Sequence, residues 1–261
     1  MKKTTKAIFF LLILATSYTF ADSLNTTKQQ AEQGNSDAQV KLGTIYESDK
    51  DYTQARLWYE KSANQGNAYA QSRLGFIHNN AYGVPRDTIQ AKDWYEKAAL
   101  QGNAEAQHSL AMMYWYGMGD VPKNYALSKL WHEKAANQGH VLSQLAFATM
   151  YFVGRAVRQD YTQARHWYEQ AAKQGNTGAQ RSLASMYENG HGIPKDYAQT
   201  RYWYEQAVEQ GDTNSQIELG RLYEKGIGVS KNIAEAKEWY GKACDNGSQS
   251  GCDQYKRLNR L

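Results

Sequence analysis

Long hydrophobic runs are scarce in this chain of 261 residues. The one clear apolar run, Ala7 to Ala15, is well short of the ~20 residues that a membrane-spanning helix requires. Its setting gives it another meaning. Lys2, Lys3 and Lys6 precede it, and Thr19-Phe20-Ala21 follows with small residues where a signal peptidase reads, so cleavage after Ala21 is predicted. The mature protein is then expected in the periplasm or outside the cell, with no membrane insertion. Excess charge is lacking too. The whole chain has 30 Lys and Arg against 26 Asp and Glu, and removing the three leader lysines leaves 27 against 26. A nucleic-acid binder presents a basic patch or stripe, and none is found, so no nucleic-acid partner is expected.

Catalytic signatures are missing as well. The six histidines, His78, His108, His132, His140, His166 and His191, form no HExxH motif and no zinc-spaced set with cysteine. There is no G-x-S-x-G, no P-loop and no dinucleotide fingerprint after a strand pattern. The glycines of "ENGHGIP" at 188–194 belong to a turn. No catalytic residue, metal or cofactor is therefore expected.

What the chain has instead is a period. Gln-Gly recurs at Gln33, Gln65, Gln101, Gln138, Gln174 and Gln210, then as Asn246-Gly247, with steps of 32, 36, 37, 36, 36 and 36. Tryptophan keeps the same beat at Trp58, Trp94, Trp131, Trp167, Trp203 and Trp239. Each unit carries two helical patterns. In the fifth, Ala179, Leu183, Met186 and Tyr187 share one face of a first helix, A. The turn "NGHGIPKD" then reverses the chain. A second helix, B, is expected to turn Ala198, Tyr202 or Trp203, and Ala207 inward, with Gly211 as its left-handed C-cap. Two short helices cannot bury their faces alone, so neighbouring pairs must stack. The first unit is four residues shorter, with "ESDKDY" in place of the glycine turn, and the third has one extra residue, assigned to Asp120.

The recurring residues, A-Q-x-x-L-G-x-x-Y-x-x-G-x-G-V-x-x-D followed by A-x-x-W-Y-x-x-A-A-x-x-G, closely resemble the Sel-one-like repeat family, relatives of the tetratricopeptide repeats. The resemblance covers residues 35–253 and implies an all-α fold: a right-handed superhelical solenoid. Six helix-turn-helix repeats (35–66, 67–102, 103–139, 140–175, 176–211, 212–247) follow a lead-in helix at 22–34 and precede a half repeat at 248–261. It also implies a monomeric, non-enzymatic scaffold that binds a protein or peptide in a concave groove. Exported relatives include immunity proteins against secreted toxins and proteins that bind host proteins. Cysteine-rich relatives carry a β-lactamase or penicillin-binding label, but S-x-x-K, S-D-N and K-T-G are all missing here.

Cysteine occurs only twice, at Cys244 and Cys252. In an exported chain this pair is expected to form a disulfide. In the repeat frame Cys244 takes the helix B place of Ala63, Ala99, Ala136, Ala172 and Val208. Cys252 takes the helix A place of Gln39, Gln71, Gln107, Gln144, Gln180 and Gln216. The same C-x7-C arrangement is similar to that of the family's cysteine-rich secreted members.

Positions that vary between copies are free of the packing role. Three helix A slots vary: Thr44, Phe76, Met112, Thr149, Ser185, Arg221; Glu47, Asn79, Trp115, Phe152, Glu188, Glu224; and Ser48, Asn80, Tyr116, Val153, Asn189, Lys225. The resemblance implies that this stripe faces the groove. The candidate partner-binding residues are Phe76, Met112, Trp115, Tyr116, Phe152 and Val153, with Arg181 and Arg221 where the stripe turns charged. The alternative is that Trp115 and Phe152 merely pack on each other. Leu110, Met113 and Tyr114 occupy constant apolar slots and are expected in the core.

Overall fold

The computed structural model describes residues 24–260, and among them there is helix and loop but no strand. The predicted leader and its cleavage point lie outside the described residues. Helix α1 covers 24–32. The A helices are α2 (Ser36–Ser48), α4 (Ala68–Asn80), α6 (Ala104–Tyr116), α8 (Val141–Val153), α10 (Thr177–Asn189), α12 (Thr213–Lys225) and α14 (Gln249–Leu258). The B helices are α3 (Tyr52–Asn64), α5 (Thr88–Leu100), α7 (Tyr125–Asn137), α9 (Tyr161–Lys173), α11 (Tyr197–Glu209) and α13 (Ile233–Asp245). The chain forms two compact units, one ending at Asn124 and the next starting at Tyr125.

Polar side chains cap the N-termini of the repeat helices, as two examples show. Asn176 accepts the N–H of Ala179 and caps α10, and Asp196 accepts that of Gln199 to cap α11. Helix α11 ends as expected on Gly211, at φ +82°, whose N–H donates to Val208 while that of Asp212 donates to Ala207. That is the Schellman arrangement, and it leaves Asp212 free to cap α12 at once. Helix A passes to helix B under a second repeated constraint. The N–H of the B-helix cap donates to a carbonyl near the end of helix A: Asp51 to Tyr46, Asp87 to His78, Asn124 to Tyr114, Asp160 to Tyr151, Asp196 to Tyr187 and Asn232 to Tyr223. The short first loop and the long third loop both end on this bond, so their different lengths leave the register intact. In the third loop the N–H of Asp120 reaches Thr88 Oγ1 at 3.3 Å, and Val121 is buried.

The core forms as helix A periodicity dictates. Ala179, Leu183 and Met186 are buried, as are Leu110, Met113 and Tyr114. Helix B differs from the expectation. Ala207 is buried, but Ala198 is exposed and Tyr202 is 47% exposed. The inward residues are Thr200 and Tyr204, which lie i, i+4 and i, i+7 with Ala207 on one face. A tyrosine fills the same place as Tyr59, Tyr95, Tyr168 and Tyr240. Trp203 is half-buried on the flank, packed against the clusters on both sides of its helix. Trp203 thus marks the joint between repeats rather than the inner face.

A polar ladder runs through each unit beneath the apolar contacts. In the first, Gln39, Gln71 and Gln107 are buried and donate through Nε2 to the carbonyls of Ala31, Ala63 and Ala99 at 3.0–3.1 Å. In the second, Gln144 and Gln180 donate to Ala136 and Ala172 at 3.2 Å. Four of these glutamines are in turn bonded by an amide from the next turn along, Gln65 to Gln39, Gln101 to Gln71, Gln174 to Gln144 and Gln210 to Gln180, and Asn246 bonds Gln216 in the same way. Both ends of a buried amide are satisfied, which is the condition for a polar group in a core. Cys244 and Cys252 form the expected disulfide, with Cα atoms 4.5 Å apart. They lie eight positions apart in sequence, the same offset as each of these glutamines from the alanine whose carbonyl it bonds. The bridge is a covalent version of that ladder contact.

Candidate partner-binding face

The three variable slots fall along the last two turns of each A helix, and four of their charged members, Glu47, Glu188, Arg221 and Glu224, are engaged within the protein. In the first unit Glu47 receives the Tyr59 hydroxyl at 2.7 Å and the guanidinium of Arg73 from the next repeat. In the second unit Tyr240 donates to Glu224 at 2.9 Å, and Arg257 bonds both oxygens of Glu224 at 2.7 Å. Arg221 bonds both oxygens of Glu188, at 2.8 and 2.6 Å, and Glu218 at 2.6 Å. Burial disfavours charge on Arg221, yet its bonds to Glu188 and Glu218 outweigh this and raise its pKa. For Tyr59 and Tyr240, burial first and the adjacent carboxylate second push the phenol pKa upward, so both hydroxyls remain donors.

Copies two, three and four hold Asn79, Trp115 and Phe152 in that glutamate slot. Trp115 belongs to the first unit and Phe152 to the second. Phe152 is half-buried, tilted on Tyr161 at 5.3 Å and edge-on to Tyr168 at 6.3 Å and His191 at 5.3 Å. Val153, next to it, is 58% exposed. In the first unit Met112 and Trp115 are half-buried and Tyr116 is 54% exposed. Phe76 is half-buried under the Arg73 guanidinium, 4.4 Å from its ring centre. Arg181 pairs with Asp212 at 3.0 Å, so both arginines of the sequence prediction take part in links between repeats.

Two of the predicted residues, Phe152 and Arg181, come together at a cleft of about 480 Å³ in the second unit. Its walls are helices α8, α10 and α12, through Phe152, Arg181, Ser182, Ser185, Asn214 and Glu218. Tyr168 of α9 and Tyr204 of α11 also line it. The Tyr168 hydroxyl lies 3.1 Å from Thr149 Oγ1. Burial raises the pKa of Tyr204, and Glu218 and Glu188 raise it further. The two tyrosines and Glu218 were not singled out by the sequence reading. The signal available was the tyrosine that follows the tryptophan in five of the six copies (His132 takes its place after Trp131), which looked interchangeable with its neighbours. Among the described residues no group of three or more His, Cys, Asp or Glu is placed to hold a metal ion.

The Sel1 repeat model matches residues 36–67, 68–103, 104–140, 142–176, 177–212 and 213–248. No curated protein of assigned function matches the sequence. Among solved structures, the chain is similar to a Sel1 repeat protein from Oxalobacter formigenes, with 30% identity, a TM-score of 0.77, and coverage of 81% of this chain and 86% of that one. It is also similar to c5321, a protective antigen present in uropathogenic Escherichia coli strains displaying an SLR fold, with 34% identity and a TM-score of 0.64. That match covers 90% of this chain but 59% of the antigen, so the chain spans well under two thirds of its length. A TPR repeat-containing protein of Cytophaga hutchinsonii shares the fold at 12% identity and a TM-score of 0.53, over 92% of this chain and 95% of that one. With six repeat matches spanning most of its length, the chain belongs to the Sel1 repeat family.

Proposed function

We propose that this chain is an exported, non-enzymatic scaffold that binds a protein or peptide partner along the ends of its A helices. The supporting observation is the contrast within one slot. Glu47, Glu188 and Glu224 are ion-paired to the following repeat, whereas Trp115 and Phe152 occupy the same slot with large aromatic side chains. The scaffold is built without an aromatic there in the other copies, and Trp, Tyr and Met are favoured in interface cores. Tyr116 and Val153, both mostly exposed, extend the two aromatic positions. In the first unit Phe76 and Met112 are the further apolar members of these slots.

Export is supported by the Cys244–Cys252 bridge, since disulfides persist in oxidising compartments. No described helix is long and apolar enough to cross a membrane. Likeness to a protective antigen fits a chain that a host encounters. The test is affinity capture with the chain lacking residues 1–21 as bait, in parallel with Trp115→Ala and Phe152→Ala. Recovery of a cognate secreted toxin marks an immunity protein, and recovery of a host protein marks a host-facing one. Either variant should weaken capture at least tenfold while its melting temperature stays within a few degrees. Unchanged capture by both variants refutes the reading. A chromogenic β-lactam should remain intact in the presence of the purified chain, and hydrolysis would revive the enzymatic alternative.

A further inference from the structure

We infer that the cleft between α8, α10 and α12 takes the side chain of an arginine presented by the protein partner; this rests on the A-helix reading above. The first reason is charge. Arg181, on one wall, is matched by Asp212, whose carboxylate it contacts at 3.0 and 3.4 Å. Glu218, which also lines the cleft, shares one cation, Arg221, with a second carboxylate, Glu188. That group has a net charge of −1, and its Glu218 member lines the cleft. A cation from the partner would neutralise it.

The second reason is the aromatic lining. Phe152, Tyr168 and Tyr204 are three of its eight lining residues. A guanidinium is weakly hydrated, stacks on aromatic faces, and carries five donors for acceptors arranged around it. Glu218, the hydroxyls of Ser182 and Ser185 and the Asn214 amide are such acceptors. The third reason is size. A volume of about 480 Å³ admits a long side chain with accompanying water, within the ~300–1,000 Å³ of small-ligand sites. A carboxylate ligand is the less favoured occupant, because Arg181 is already paired and the excess charge is negative.

The experiment titrates the isotopically labelled chain with N-acetyl-arginine amide, N-acetyl-lysine amide and N-acetyl-glutamate amide, followed by amide NMR. The arginine probe should move the resonances of Ser182, Ser185 and Asn214, the lysine probe should do so more weakly, and the glutamate probe should not. Glu218→Gln should weaken the arginine probe about fivefold with an otherwise unchanged spectrum, which also shows that the variant folds. Phe152→Leu provides a second lever and should weaken it about threefold. Binding of the glutamate probe in preference, arginine binding that survives both substitutions, or no response at these residues would overturn the inference. The titration needs no partner, so it can fail or succeed independently of the capture experiment with Trp115→Ala.

Discussion

Gln180 offers the sharpest test of what joins one repeat to the next. It is 4% exposed, donates to the Ala172 carbonyl at 3.2 Å, and accepts from Gln210 Nε2 at 3.0 Å. Gln180→Ala removes both bonds, each worth about 0.5–1.5 kcal/mol net. It also removes one buried methylene, at about 0.8 kcal/mol, and leaves a void where the amide was. A loss of about 2–4 kcal/mol follows. Gln180→Met keeps the volume and deletes only the bonds. Its cost is smaller, because the Ala172 carbonyl still accepts the Gly175 N–H at 2.9 Å and the exposed Gln210 amide can turn to water. About 1–2 kcal/mol is expected. Urea unfolding of the chain, with hydrogen exchange to locate the weakening in α9 to α11, provides the measurement. A cycle with Gln210→Ala should give a coupling of about 1 kcal/mol. Stability of Gln180→Met equal to or above that of the parent, with no coupling, would show that packing alone joins the repeats.

Replacing both cysteines by alanine should cost about 2–3 kcal/mol, the chain-entropy value for so short a loop. Cys244→Ala combined with Cys252→Gln should regain about 1 kcal/mol of that by restoring the ladder bond, as read by thermal denaturation with and without reductant. Gly192→Ala should destabilise by more than about 2 kcal/mol in the same assay, because its φ is +69° and a Cβ there would run into Tyr161. Glu224 is partly buried, which alone would raise its pKa, but its bonds from Arg257 and Tyr240 bring the pKa below the ordinary carboxylate value. A folded-state pKa below the unfolded one means the contribution is present above about pH 4.3 and fades as the pH falls through the lowered value. Glu224→Gln should therefore cost up to about 1 kcal/mol at neutral pH and little in strong acid, measured by urea unfolding across pH.

Much of the scaffold is legible because a repeat reads itself out many times. The polar cap before each A helix (Asn35, Asn67, Asn103, His140, Asn176, Asp212 and Ser248), the Gln-Gly or Asn-Gly after each B helix and the apolar i, i+4, i+7 pattern each have a local cause, so the sequence states them directly. The inner face of helix B was harder. "YWYEQA" offers three adjacent aromatics, Tyr202, Trp203 and Tyr204, and neighbouring helical positions differ by only about 100°. Tyr204 is inward at 3% exposure because the arc that includes Thr200 and Ala207 passes through it. The constant glutamine was visible in every copy, yet its bonds reach across repeats, where no local pattern points.

The candidate face divides along the same line. Sequence comparison between copies was sufficient to separate scaffold from stripe: Met113 and Tyr114 are buried, while Tyr116 beside them is mostly exposed. The exported setting was sufficient to predict the Cys244–Cys252 bridge, while the structure supplied the contact between their slots, as where Gln180 meets Ala172. Comparison between copies did not show that Arg221 and Arg181 are engaged by Glu188, Glu218 and Asp212, nor that Phe152, Tyr168 and Tyr204 line one cleft. Those facts depend on side chains about 30 residues apart meeting across a joint. Local periodicity fixes which way a residue faces on its own helix, and only the stacking of helices decides what it finds there.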